Sequence, residues 1–403
     1  MSKGWPLVPM EEIFAIARGG SPRPIDSFLT DDPDGVNWVM ISDATESGKY
    51  INSTKKRIRE EGVKRSRVVQ PGDFLLTNSM SFGRPYIMNT SGCIHDGWLV
   101  LSPRHQNVSP DFFYHLLGSD FVYAEFVRRA AGATVKNLNI DLVKGVQVPL
   151  PPMEEQRRIA EVLDRTEALR AKRRGALAQL DTLTQSVFLD LFGDPVMNPK
   201  GWEAKPLRDL VTEFRYGTSN KSDALGQPAL RIPNVVGGTI DISDLKLVPV
   251  DPAELDRLRL IKGDVLFVRT NGNPDFVGRC AVFDDSVTVN SGFSSDEFIF
   301  ASYLIRARLK VRQITPIFLR EFMLGAEGRR QLRSRSKTSA GQFNINTENL
   351  GAISIPVPPQ SLQEDFASRL GPVEKLKVGC RASLAELDAL FAVLQHRAFR
   401  GEL

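Results

Sequence analysis

Apolar residues follow two rhythms along this chain. Runs such as VNWVMI, DFLLT, DVLFVRT and RCAVFDD are short and bounded by Gly, Pro, Asn and Asp, the length and turn chemistry of strands. FFYHLLGSDFVYAEFVRRA and ITPIFLREFMLGAEGRRQLRSR instead space apolar residues three and four apart, which predicts helix. Two longer periodic stretches follow proline-rich segments, PLPPMEEQRRIAEVL from Pro149 and PVPPQSLQEDFASRL from Pro356. The prolines cannot continue a helix or a central strand, so each segment reads as a stiff exit from a globule. A heptad written from Ile159 places Ile159, Val162, Thr166, Leu169, Arg173, Ala176, Leu180, Leu183, Val187 and Asp190 on one stripe. Moved 207 residues on, the same frame gives Phe366, Arg369, Val373, Leu376, Cys380, Ser383, Leu387, Leu390 and Leu394. Either stripe alone would face water, so the two helices are expected to pack on each other. At 1.5 Å per residue, a helix of about 40 residues would be about 60 Å long, a rod carrying two globules.

The matched helices belong to a wider repeat. KGWPLVPMEEIFAIARGGS from Lys3 aligns with KGWEAKPLRDLVTEFRYGT from Lys200 without a gap, so that Arg18 and Gly20 meet Arg215 and Gly217. Gly72 and Asp73 answer Gly263 and Asp264, Gly83 and Arg84 answer Gly278 and Arg279, and HDGW from His95 is set against NSGF from Asn290. NLNIDLVKGVQVPLPP and NINTENLGAISIPVPP close the two copies. The drifting offset between the copies points to loop insertions between matched elements. Each copy reads as an α+β globule of about 150 residues, an ordinary domain size, followed by its long helix.

Composition narrows the function. The net charge is +4 with 25% charged residues, so any nucleic-acid surface must be local rather than global. Cys93, Cys280 and Cys380 are far apart and odd in number, which fits a reducing compartment and no disulfide framework. The chain shows no signal-peptide pattern and no run of about 18 apolar residues, so a cytoplasmic protein is expected. It has no GxxxxGK[ST], HExxH or GxSxG motif and no metal-spaced His/Cys cluster. NGNPDF at Asn271 has one proline too few for an amino-methyltransferase loop. The four histidines, His95, His105, His115 and His396, offer no shared catalytic position, because His95 faces Asn290 in this alignment. Neither a catalytic residue nor a metal ligand is expected.

What remains is surface chemistry suited to DNA. KKRIREEGVKRSR supplies Lys55, Lys56, Arg57 and Arg59, and RRQLRSRSK supplies Arg329, Arg330, Arg333, Arg335 and Lys337, side chains able to neutralise phosphates. TNSMSFGR and RTNGNPDFVGR each follow a strand and offer hydroxyls, amides and arginine, which can pair with base edges. Thr77, Asn78, Arg269, Asn271 and Asn273 are the candidates there. Gly83 and Gly278 are read as tight-turn residues, with Arg84 and Arg279 in salt bridges.

Two domains of GD[FV]L(x)n[FV]GR type, each ending in NxN(x)n[IV]P[LV]PPxxxQ and a long helix, with AFRGEL after the second, resemble the specificity subunit of type I restriction-modification systems. The resemblance covers essentially the whole chain. It implies two β-rich target recognition domains in a tandem pseudo-repeat, at 1–150 and 199–357. Between and after them would lie helical regions, at 151–198 and 358–403, paired as an antiparallel coiled coil. Within that coil, inter-helix packing is expected from Ile159, Val162, Leu169, Leu180, Leu183 and Val187 against Phe366, Val373, Leu376, Leu387, Leu390 and Leu394. The resemblance further implies a non-catalytic chain that reads a split, asymmetric double-stranded DNA target. Two modification (methyltransferase) subunits would dock on its helices, and restriction (translocase/nuclease) subunits would join. S-adenosylmethionine, ATP and Mg would be bound by those partners and no cofactor by this chain. Two other readings stand beside it: a protein-interaction scaffold, and a nuclease or methyltransferase subunit whose site the motifs do not reveal.

Overall fold

The computed structural model describes residues 4–78, 83–130, 138–289, 291–339 and 341–403. Its contacts divide the chain into two units, Met1–Gly175 with Arg381–Leu403, and Ala176–Cys380. Each is therefore a globule joined to the first half of its own long helix and the last half of the other's.

In the first unit, strand Leu7–Pro9 pairs antiparallel with Gln147–Pro149, bringing the start of the globule to the proline segment that leaves it. One five-stranded sheet has Trp98–Pro103 between Phe14–Arg18 and Phe74–Thr77, and the other centres on Val36–Val39. The second unit repeats the plan. Ala204–Pro206 pairs with Ser354–Pro356, and Leu304–Leu309 lies between Val211–Tyr216 and Val265–Val268. The periodic stretches expected to be helical form two helices each, Pro110–Leu117 with Asp120–Ala130 and Pro316–Leu324 with Ala326–Arg335, broken near Gly118 and at Gly325.

Two alignments made from sequence are corrected by strand pairing. A register shift between Val211 and Glu213 adds one residue to the second copy. Leu99 pairs with Arg18 and Ile305 with Tyr216, so Arg18 corresponds to Tyr216 rather than Arg215. HDGW does not match NSGF. Asn78 donates its amide to the Gly97 carbonyl as Arg269 does to that of Tyr303, which sets HDGW opposite Ala301-Ser302-Tyr303-Leu304. His95 thus matches Ala301, and Asn290 lies outside the described residues.

The proline-glutamine motif has a mechanical explanation. Gln156 is fully buried, as is Gln363. Its side-chain oxygen accepts the Ser109 amide while its nitrogen donates to the carbonyls of Asn107 and Pro151. Gln363 makes the same three bonds, to the Thr315 amide and the carbonyls of Gln313 and Pro358. Ser109 and Thr315 in turn cap helices Pro110–Leu117 and Pro316–Leu324. Each glutamine therefore staples the start of a long helix to its own globule, satisfying three backbone groups with one buried side chain.

The long helices span Met153–Phe192 and Gln360–Ala398. They pack antiparallel in both units: Arg158 reaches the Leu403 carbonyl and Arg173 reaches Ser383 in the first, while Lys377 meets Asp181 and Phe366 meets Phe192 in the second. The expected heptad is half right. Ile159, Thr166, Leu180, Val187, Phe366, Val373, Leu387 and Leu394 are buried or partly buried, but the alternate positions lie one residue further on, at Leu163, Arg170, Thr184, Leu191, Leu370, Lys377, Phe391 and Ala398. Val162 and Arg369 are displaced by the same shift, and Leu169, Leu183, Leu376 and Leu390 face outward. The polar seam residues explain the error. Arg170 Nε lies 2.5 Å from Asp388, with Glu167 also paired to the guanidinium and the Phe391 ring 4.5 Å beneath it. Lys377, at the matching place, lies 2.9 Å from Asp181 and 3.5 Å from Glu374.

A charge network ties the second sheet together. Arg306 is almost wholly buried and pairs with Glu213, while Arg308 grips Asp264 through two bonds of 2.9 Å. Hydrogen bonding from Arg215 and then Arg306 holds the Glu213 carboxyl below the usual glutamate range. A depressed carboxylate contributes stability above its unfolded pKa and loses it as pH falls through the folded value. The melting temperature of the wild-type chain is therefore expected to exceed that of Glu213→Gln at pH 7, with the gap closing below about pH 4.5. A gap that does not narrow as the pH is lowered, for as long as both proteins remain folded, would exclude the charge as its source.

Candidate nucleic-acid interface

At one end of each globule four chain segments meet through backbone hydrogen bonds, and three of these bonds match between the units. In the first, Gly19 and Gly20 donate to the carbonyls of Trp98 and Ile94, Asn78 to that of Gly97, and Leu138 to that of Asn78. In the second, Thr218 donates to Phe300, Arg269 to Tyr303, and Ile345 to Arg269. Glycine is required where the first segment turns: a Cβ on Gly19 would lie 2.0 Å from the His95 carbonyl oxygen, and one on Gly217 would lie 2.1 Å from that of Phe300. The frame is common and the side chains it carries differ.

In the first unit the hub is Asp96. Its carboxylate accepts from Ser21 at 2.6 Å and lies 3.6 Å from Arg23, while its carbonyl accepts from Arg18 and Asn78. The Ser21 hydrogen bond keeps the carboxyl below the ordinary aspartate range. Arg67 donates to the Arg18 carbonyl, and the Arg23 side chain is mostly exposed. Arg18, Ser21 and Arg23 were not expected here because they are scattered singly, whereas Arg67 closes the KKRIREEGVKRSR run, from which only Lys55, Lys56, Arg57 and Arg59 were expected to contact DNA.

In the second unit the guanidinium of Arg269 stacks over Tyr216 at 4.6 Å and donates to the Ser302 carbonyl. Asn271 and Asn273 accept the amides of Asn273 and Asp275, shaping the loop, and Asn273 is exposed. A three-stranded ribbon stands beside them, with Thr270–Asn271 pairing with Gln342–Asn344, which pairs with Lys337–Ser339. In the first copy the corresponding positions fall largely at 79–82 and 131–137, outside the described residues.

Several expected contact residues have other work. Thr77 and Asn78 are buried rather than displayed: Thr77 accepts the Arg84 amide, and Asn78 holds the Asp96 carbonyl. Arg329 donates to the carbonyls of Pro274, Asp275 and Val277, fixing the loop from within. Arg330 pairs with Glu327, Arg333 with Asp275, and Arg335 bonds to the Gln331 carbonyl, leaving Arg330 and Arg333 partly open to solvent and Lys337 exposed. Lys55 pairs with Glu46, and Arg57 donates to the carbonyls of Pro33 and Gly35. Lys56 and Arg59 are exposed, but strand Lys56–Ile58 is two strands away from Gly92–Ile94, which borders the loop cluster. Gly83 and Gly278 turn with positive φ, and each admits a helix residue closely, Phe126 and Leu332 respectively. Arg84 and Arg279 lie over Tyr86 and Phe276, in place of the expected salt bridges.

Among the described residues no cluster of three or more His, Cys, Asp or Glu could hold a metal, and no helix is long and apolar enough to cross a membrane. Burial pushes the Cys280 thiol up to about 12, which keeps it protonated near neutral pH.

Residues 2–180 match the family described as type I restriction modification DNA specificity domain. The chain is 24% identical to the type I restriction enzyme EcoKI specificity subunit of Escherichia coli (strain K12), over 100% of this chain and 90% of that protein. It is 22% identical to the StySPI specificity subunit of Salmonella potsdam, with the same coverage. Among solved structures, the S subunit of a type I restriction-modification system from M. genitalium aligns over 98% of this chain and 96% of its own, with a TM-score of 0.54 and 13% identity. A chain from a structure of type I R-M complex assembly aligns over 100% and 99%, with a TM-score of 0.51 and 20% identity. The chain is thus similar along its whole length to type I restriction-modification specificity subunits, the family its motifs resemble, and it shares their fold.

Proposed function

We propose that this chain, akin throughout to type I restriction specificity subunits, gives sequence specificity to such a complex by reading one half of a split DNA target with each unit. The observation that carries this reading is the loop cluster built twice on one backbone frame with different side chains. An asymmetric bipartite target follows, because unlike surfaces on like frames read unlike half-sites. The two long helices would set the spacing of the half-sites.

The helices also support docking of two methyltransferase subunits. Leu169 and Leu390 in the first unit are 50% and 47% exposed, and Leu376 and Leu183 in the second are 59% and 46% exposed. Each leucine immediately precedes a seam position, so each unit carries one apolar pair on the same flank of its helix pair. A repeated apolar pair suits two copies of one partner. Restriction subunits would join that assembly in the cytoplasm. S-adenosylmethionine, ATP and Mg would be bound by the partners, and this chain would bind DNA without chemistry of its own.

The test is the adenine-methylation pattern of a methylation-free host genome when this chain is expressed with its modification subunit. A bipartite, asymmetric motif that vanishes without this chain is expected. A soluble assembled complex that leaves no such motif would refute the proposal.

A further inference from the structure

We infer that the second unit selects an adenine in its half-site with Gln342, presented on the solvent face of the ribbon described above; this rests on the DNA-recognition reading. Pairing decides which side chains share that face. Thr270 lies opposite Asn344, which lies opposite Lys337, so the three point the same way, and Gln342, two residues from Asn344, joins them. On the other face Phe343 packs against the apolar core, which fixes the register because a slip of one residue would bury the polar set. The outward face is thus a hydroxyl, two amides and an ammonium on a narrow β-ribbon, an element that the major groove admits.

The Thr270 hydroxyl donates to the Gln342 side-chain oxygen at 3.0 Å. That bond orients the amide and leaves its NH2 to donate outward, while the oxygen can accept a second bond. A glutamine so held matches the N6 donor and N7 acceptor of adenine. Thr270 is then a positioning residue, and exposed Lys337 on the same face contacts a guanine edge or a phosphate. Gln342 stands where the first copy has Val135, which suits a contact specific to one half-site, whereas Asn344 has Asn137 as its counterpart and belongs to the shared frame.

The experiment compares genome methylation by complexes carrying the wild-type chain, Gln342→Ala, Gln342→Glu and Thr270→Val. Gln342→Ala is expected to lose at least about tenfold discrimination for adenine at one position of the second half-site. Gln342→Glu should move the preference there toward cytosine, whose N4 donates to a carboxylate. Thr270→Val should relax the same position partially. The first half-site and the spacer stay unchanged in all three, which also reports that each variant is folded and assembled. An unaltered second half-site with Gln342→Ala and Gln342→Glu overturns the assignment while leaving the DNA-recognition reading intact. Absence of any motif with the wild-type chain overturns both.

Discussion

Gln363→Leu is expected to destabilise the second unit by about 2–4 kcal/mol, because one substitution removes a fully buried side chain that bonds three backbone groups, of which the Pro358 carbonyl is buried and the other two partly so. Leucine fills similar space but leaves the Thr315 amide and the carbonyls of Gln313 and Pro358 without the bonds that Gln363 supplies. The loss compares with the about 5–15 kcal/mol that stabilises a typical native domain. Gln156→Leu should act equally on the first unit through Ser109, Asn107 and Pro151. Urea titration with a probe in each unit separates the two effects. A midpoint shift worth less than about 1 kcal/mol in both variants would show that the staples are incidental, since surface changes alone produce shifts of that size.

The second large effect concerns assembly. With Leu169→Asp and Leu390→Asp together, one modification subunit should be lost from the complex. Leu183→Asp with Leu376→Asp should remove the other, and all four should remove both. A carboxylate placed at a desolvated contact weakens binding by about a hundredfold or more. Native mass measurement counts the bound subunits. A quadruple variant that still carries two would rule out the leucine pairs as docking sites. The folded helix pair should survive, since these side chains lie outside the seam.

Much of the architecture was legible in the sequence because duplication makes it redundant: two Gly-Asp turns, two proline-glutamine exits and two periodic helices support one another. The errors have particular causes. Apolar periodicity chose Leu169, Leu183, Leu376 and Leu390 for the seam, whereas Arg170, Thr184 and Lys377 occupy it. A seam cation is legible only together with its acids, and those of Arg170 and Lys377 include Asp388 and Asp181 on the opposite helix. The HDGW alignment failed because the second copy inserts residues before strand Ile299–Phe300, and NSGF within that insertion mimics the motif. Charge runs overstated Arg329 and Arg57, whose donors are taken by carbonyls. The ribbon face was missed because TSAGQFN has no alternation of apolar and polar residues. Only pairing shows that Lys337, Gln342 and Thr270 share a side.

The crosswise composition of the units also orders their birth. The first unit takes Ala398 and Phe399 into its core, Phe112 packing edge-on against Phe399 at 5.7 Å, so its core stays unfinished long after Gly175 has been translated. At roughly 5–20 residues per second the delay is on the order of ten to fifty seconds. The second unit spans one uninterrupted stretch, Ala176–Cys380, and can close as soon as that stretch leaves the ribosome. The earlier-translated half therefore matures last, and in the interval its open groove beside Phe112 and Leu163 is the nascent chain's point of exposure to chaperones and to pairing with the wrong helix.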